Sequence, residues 1–190
     1  MSHRLIFVLA CLIAASWLGT SPKVLADDRK QASTVQTLEV GDSVTVKVAS
    51  KQKFNPTGVK VSQGQHYAFA VNASAKWKDL NIVCDAGGWT SDQAPQITRK
   101  FIEKSEQNRR VPAANWFELI GTIGQNEDHH FQIGKRGDQW TYAANADGDL
   151  FLFANDLIGM YGNNHDSIEV TITRVAGPGD RQLPVNPPKP

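Results

Sequence analysis

Apolar and polar residues alternate through most of the chain from Val35 onward. Val44, Val46 and Val48 alternate with Thr45 and Lys47. Val59 and Val61, then Tyr67, Phe69 and Val71, repeat the pattern on either side of the turn Ser62-Gln63-Gly64-Gln65. A period of two marks strands with one buried face. The run from Trp116 to Ile123, then Phe131 to Ile133 and Trp140 to Tyr142, extend it. Asn145-Ala146-Asp147-Gly148 predicts a tight hairpin, because Asp-Gly tolerates the positive φ of such turns. Two further strands follow, Asp149 to Ala154 and Ser167 to Thr173. Eight or nine short strands with frequent turns predict an all-β domain, a β-sandwich or jelly roll.

Residues 76–112 interrupt this rhythm. Within them, Pro95 to Arg110 is charged and places Ile97, Phe101 and Ile102 at rough helical spacing, which predicts a short helix. Excursions of this length in compact domains tend to be functional loops or lids. At the N-terminus, Arg4, the apolar run Leu5 to Leu18 and Val24-Leu25-Ala26 read as a secretory signal cleaved near Ala26. That run is short for a spanning helix, and no other stretch could span a membrane. Val8-Leu9-Ala10-Cys11 is a loose lipid-attachment box, disfavoured because the apolar run continues past it. The expected organisation is a signal over 1–26, a flexible lead-in over 27–34, one domain over 35–175 and a Pro-rich disordered tail over 176–190. The location is then secreted or periplasmic.

The 190 residues carry a formal net charge of +1. Cleavage removes Arg4 and Lys23 and no acid, leaving 18 basic against 19 acidic residues. Binding along a phosphate backbone needs a concentrated basic face, and none is indicated. Of two cysteines only Cys84 survives cleavage, so an intramolecular disulfide is excluded and a buried apolar cysteine is the plain reading. His129 and His130 are neighbours on a strand pattern, so they point to opposite faces and cannot share one metal. The sequence has no nucleophile elbow, zinc-protease helix motif, EF-hand spacing or phosphate loop. Asp79 and Asp85 are candidate acids for glycoside hydrolysis, but spacing does not bring them together. Trp116 and Trp140 sit in strand patterns and read as core. Trp77 and Trp89 lie in the excursion, where a ring could pack in the core or stack on a sugar.

One stretch concentrates oxygen donors. Asn155 to Asn164 reads NDLIGMYGNN, with one carboxylate (Asp156), three amides (Asn155, Asn163, Asn164) and two glycines at which the chain can bend. Calcium takes six to eight oxygens from carboxylates, amide carbonyls and main-chain carbonyls, so such a loop can wrap it. The same residues also serve as plain turn chemistry, and a polar hairpin loop is the competing reading.

The loop resembles the calcium-and-galactose loop of the small bacterial galactophilic lectins of the PA-IL type, whose pattern is close to N-D-V-P-G-T-Y-G-N-N. The resemblance extends over Ala114 to Arg174, through Gly121-Thr122-Ile123-Gly124, Trp140, Gly148, the strand Leu150 to Phe153 and the strand Ser167 to Thr173. From Val35 to Val71 it is one of β pattern only. It implies a β-sandwich lectin with one Ca2+. It further implies side-chain ligation by Asp156, Asn163 and Asn164, main-chain ligation by Met160, and one more carbonyl from residues 77–81. Two sugar hydroxyls would complete the shell. The implied sugar-contacting set is Asp156, Leu157, Met160 and Asn163, with His165 within reach from beyond the asparagine pair. Ile158 and Met160 stand where the family has proline and threonine, and the excursion lacks the family's sugar-contacting histidine.

The leading expectation is therefore an exported, non-enzymatic, calcium-dependent protein that binds a galactose-like or related carbohydrate. Weak single sites of this kind gain strength by multiple presentation, so a homo-oligomer is a natural partner state. The alternatives are a structural or protein-interaction β-sandwich whose loop calcium stiffens, and a glycoside hydrolase.

Overall fold

The computed structural model describes residues 35–134, 136 and 140–180. The expected signal, lead-in and lipid-attachment box, and residues 181–190 of the tail, lie outside these. Eleven strands and one α-helix follow in order: β1 (Ser43–Ala49), β2 (Asn55–Val61), β3 (His66–Val71), β4 (Trp77–Asp79), β5 (Ile82–Cys84), α1 (Gln96–Ser105), β6 (Leu119–Ile123), β7 (Phe131–Gln132), β8 (Thr141–Ala143), β9 (Gly148–Ala154), β10 (Asn164–His165) and β11 (Ser167–Val175). They form three antiparallel sheets, ordered β1-β11-β3-β8, β2-β9-β6-β7 and β10-β4-β5.

The two four-stranded sheets face each other as a sandwich. Val48, Phe69, Val170 and Ile172 of the first sheet share one core with Val59, Leu119, Ile123, Leu150 and Leu152 of the second. Most come from alternating runs, so burial follows from the pleat, whereas β6 is buried at every position. Aromatic rings close one end, where Phe131 stacks on Tyr142 at 3.6 Å between centroids and lies 5.7 Å from Phe69. β9 is central in its sheet, between β2 and β6, and its register with β6 runs from Leu119–Ala154 to Ile123–Leu150. The chain leaves this rigid strand at Ala154 to enter the oxygen-rich loop.

The expected helix is α1, and its apolar residues do not behave as a core stripe. Ile102 packs toward the core, whereas Ile97 is 94% exposed and Phe101 68% exposed. The strand expected from Trp116 begins only at Leu119. Phe117 sits at φ 60, outside the region a ladder requires, and Trp116 makes one isolated bridge with Trp89. Trp140 precedes β8, half-buried beside Phe69. Trp77 is in β4 and fully buried, packed edge-on to Phe117 at 5.6 Å, so its ring belongs to the core. The first residues of the expected tail are folded: Gly177 N–H donates to Asp180, whose carboxylate pairs with Arg174 at 2.6 Å.

Gly121, in the middle of β6, lies directly under the Phe131 ring, and a Cβ there would overlap it. Overpacking a tight core of this kind costs roughly 1–3 kcal/mol. Gly121→Ala is therefore expected to lower unfolding stability by about that much. Urea unfolding that coincides with the parent's would show that Phe131 moves aside freely.

Candidate functional site

Asn155 to Asn164 runs from the end of β9, through a single 3-10 turn at Tyr161–Asn163, into β10. Asn155 is wholly buried and bonds to the end of the excursion. Its Oδ1 accepts from Val111 N–H at 2.9 Å, and its Nδ2 donates to the carbonyls of Val111 and Asn115 at 2.9 Å each. Its main chain joins the residues just before β6, donating to Glu118 O at 2.9 Å and accepting from Phe117 N–H at 2.7 Å. Every polar atom of this residue has a partner inside the protein, so it acts as an anchor.

Arg110 forms the second anchor. Its guanidinium lies 3.5 Å from the Phe153 ring centroid and 4.4 Å from that of Phe54. Its Nη1 donates to Lys53 O at 2.6 Å and to Tyr161 Oη at 2.9 Å, while its main-chain N–H donates to Asp156 O at 3.2 Å. Tyr161 in turn donates to Ala154 O at 2.6 Å. Excursion, strand end and 3-10 turn are thereby held together. Neither Gly159 nor Gly162 adopts the left-handed conformation, so the loop's course comes from these anchors and not from glycine bends.

Four oxygen-bearing side chains converge beside them. Asp156 is buried, with Oδ1 accepting from Leu157 N–H at 2.6 Å and Oδ2 from Asn164 Nδ2 at 3.1 Å. Asn164 Nδ2 also donates to Ser50 O at 3.1 Å. With its amide nitrogen used, its Oδ1 is buried and has no hydrogen-bond partner, and the same holds for Asn163 Oδ1. A buried acceptor left unsatisfied costs about 1–3 kcal/mol, so both oxygens are open to an ion or a water. The fourth side chain is Asp79, 8% exposed, at the end of β4. Its register partner across the small sheet is Asn164.

The carboxylates report this crowding. Burial, and then the charge of Asp156, push the Asp79 carboxyl up to about 7. Burial also raises Asp156, against the opposing bonds from Asn164 and Leu157. Two desolvated carboxylates beside two unpartnered amide oxygens are of the donor types that a hard cation takes. Among the described residues no group of three or more His, Cys, Asp or Glu side chains could hold a metal, so a cation here draws on amide and main-chain oxygens too. The structure thus fits an ion held by Asp156, Asn163 and Asn164. Met160 lies alongside, its carbonyl accepting from Asn163 N–H at 3.2 Å and retaining a second lone pair.

Asp79, Asp156 and Asn163 face a cleft of about 340 Å³, which Leu80, Asn81, Leu157, Met160, Trp89, Trp116 and the α1 residues Ile97, Phe101 and Ile102 also line. Leu80 turns the β4–β5 hairpin at φ 49, a conformation rare for a side chain of its size. Trp89 stacks on Trp116 at 5.6 Å and 16°. His165 is exposed, alternates with Asn164 on β10 and does not line the cleft, so it stands apart from the other expected contact residues. The two hydrolase candidates are also separate. Asp79 is in the cleft, whereas Asp85 pairs with Lys76 and lines a different, open depression with Glu118.

Sequence reasoning missed Asp79 as a neighbour of Asp156, and missed Asn155 and Arg110 as anchors. No local signal could join Asp79 to Asn164, because strand register across the small sheet is what pairs them.

No protein-family model matches the chain, and no curated protein sequence does. Among solved structures it is similar to the N-terminal domain of EclA, described as a PllA-like lectin, at 17% identity and a TM-score of 0.47, over 68% of this chain and 94% of that one.

Asp79 sets a pH dependence. Its ordinary value is 3.8 and its folded value about 7, so the folded state keeps a proton that the unfolded chain has lost. That contribution to stability is present below the unfolded value and is lost as pH rises through the folded one. In EDTA, the melting temperature of the parent relative to Asp79→Asn is expected to fall between about pH 4 and 7, where the two carboxyl values lie. Parallel melting profiles over that range would remove Asp79 from this role.

Proposed function

We propose that this is an exported, calcium-dependent carbohydrate-binding protein without catalytic activity. The observation that carries the reading is the pair of buried, unpartnered amide oxygens on Asn163 and Asn164 beside the desolvated Asp156 carboxylate. Ca2+ satisfies these oxygens together, with Met160 adding its carbonyl. It supplies an electropositive centre that can take sugar hydroxyls as further ligands.

The protein's own groups would select the sugar. The outer lone pairs of Asp156 and the Asn163 amide bond the hydroxyls that approach the ion, which rewards one arrangement of neighbouring oxygens. Leu157 and Met160 flank that position, and the stacked Trp89 and Trp116 with α1 give the cleft apolar walls for the C–H face of a ring. A galactose-like sugar follows from the resemblance of the loop, and the leader supports export. Presentation of several copies would raise the strength of a weak single site.

Millimolar Ca2+ is expected to raise the melting temperature above that in EDTA, because a ligand of the folded state stabilises it by mass action. Glycan-array binding in Ca2+ should vanish with EDTA and with Asp156→Ala. No thermal shift would sink the metal, and sugar binding that survives Asp156→Ala would put the carbohydrate elsewhere. A thermal shift with no binding to any glycan would favour a β-sandwich whose loop calcium only stiffens.

A further inference from the structure

We infer that Asp79 is a second carboxylate ligand of the cation, so that the cleft meets a divalent ion with two acidic side chains, one from the loop and one from β4. The inference rests on the calcium reading above and changes its composition: the loop alone offers one carboxylate, and the excursion supplies the other.

Register carries it. β4 and β10 are antiparallel and pair Asp79 with Asn164, so the two side chains leave the same face of the small sheet as direct neighbours. Asn164 is 0% exposed, is fixed by bonds to Ser50 O and Asp156 Oδ2, and keeps an unpartnered Oδ1. Asp79 and Asp156 line one cleft together with Asn163. Two buried carboxylates placed so close repel each other, and no Lys or Arg lines that cleft to offset them. A dication between them removes the repulsion and satisfies the amide oxygens in the same event.

The chemistry of the ion follows. With Asp156 alone, a bound Ca2+ keeps one uncompensated positive charge in a desolvated site. With Asp79 the formal charge closes to zero, and affinity for calcium rises with the number of charged ligands. Asp79, Asp156, Asn163, Asn164 and the Met160 carbonyl are five protein oxygens, which leaves one to three positions of the usual shell for hydroxyls or water. Asp79 would thus make the metal a resident part of the site, bound before the sugar arrives.

The test is calcium affinity of the full chain, by calorimetry and by Tb3+ emission sensitised through the tryptophans of the cleft. Asp79→Asn keeps the shape and removes the charge; Asp85→Asn removes an acid outside the cleft. Asp79→Asn is expected to weaken Ca2+ by about tenfold or more. Asp85→Asn should bind as the parent does. In EDTA at neutral pH, Asp79→Asn should melt at or above the parent, since the repulsion is gone. Parent-like Ca2+ affinity in Asp79→Asn would overturn the inference and leave the calcium reading standing. Weaker binding accompanied by a lower melting point in EDTA would assign Asp79 to the fold and also overturn it. A parent that binds neither ion would defeat the calcium reading itself, and this inference with it.

Discussion

The site depends first on the buried amide of Asn155. It is the hinge point between a rigid strand and a long excursion, and every polar atom it has is committed to holding the two together. Each such bond is worth about 1 kcal/mol net when made, and a broken one strands a buried partner at greater cost. Arg110 adds a guanidinium laid on Phe153 and Phe54, an arrangement that binds through ring faces as well as hydrogen bonds. The two anchors fix where Asp156 emerges. They also leave the loop's remaining oxygens, those of Asn163 and Asn164, with no internal partner to turn to. Internal satisfaction at one amide and its absence at the next two divide the loop into scaffold and receptor.

The small sheet completes the arrangement. β4, β5 and β10 are two or three residues long, yet they join the excursion to the loop at two register pairs, Asp79–Asn164 and Lys78–His165. Through them, Asp79 arrives opposite Asn164 and in the same cleft as Asp156. The same hairpin turns at an exposed Leu80 in a conformation that side chains resist. The cleft is therefore assembled from pieces that are mutually constrained before any ion or sugar enters, and binding need not organise them first.

The large strands were legible because alternation acts locally: Val44, Val46 and Val48, or Tyr67, Phe69 and Val71, declare a buried face within five residues. α1 was legible through its spacing, but not its orientation, since Ile97 and Phe101 look like core residues and project toward solvent. The break at Phe117 was invisible because it is a main-chain conformation with no sequence mark. Asp156, Asn163 and Asn164 could be singled out as a donor cluster within ten residues. Asp79 could not be joined to them, because the pairing spans the whole of the excursion and β6 to β9. His165 follows Asn164 in sequence, but strand alternation turns it to the other side.

The two glycines of the loop have a further meaning. Gly159 and Gly162 both sit in ordinary backbone conformations, and a Cβ at either would meet no atom within 4 Å. Neither is required for the chain to turn. They are vacant lots in a loop whose foundations are laid elsewhere, in Asn155 and Arg110. A protein built this way can change what it recognises by adding side chains at the rim while the oxygens beneath stay in place. Specificity and architecture occupy different residues of the same ten, and the former is free to drift under selection without endangering the latter.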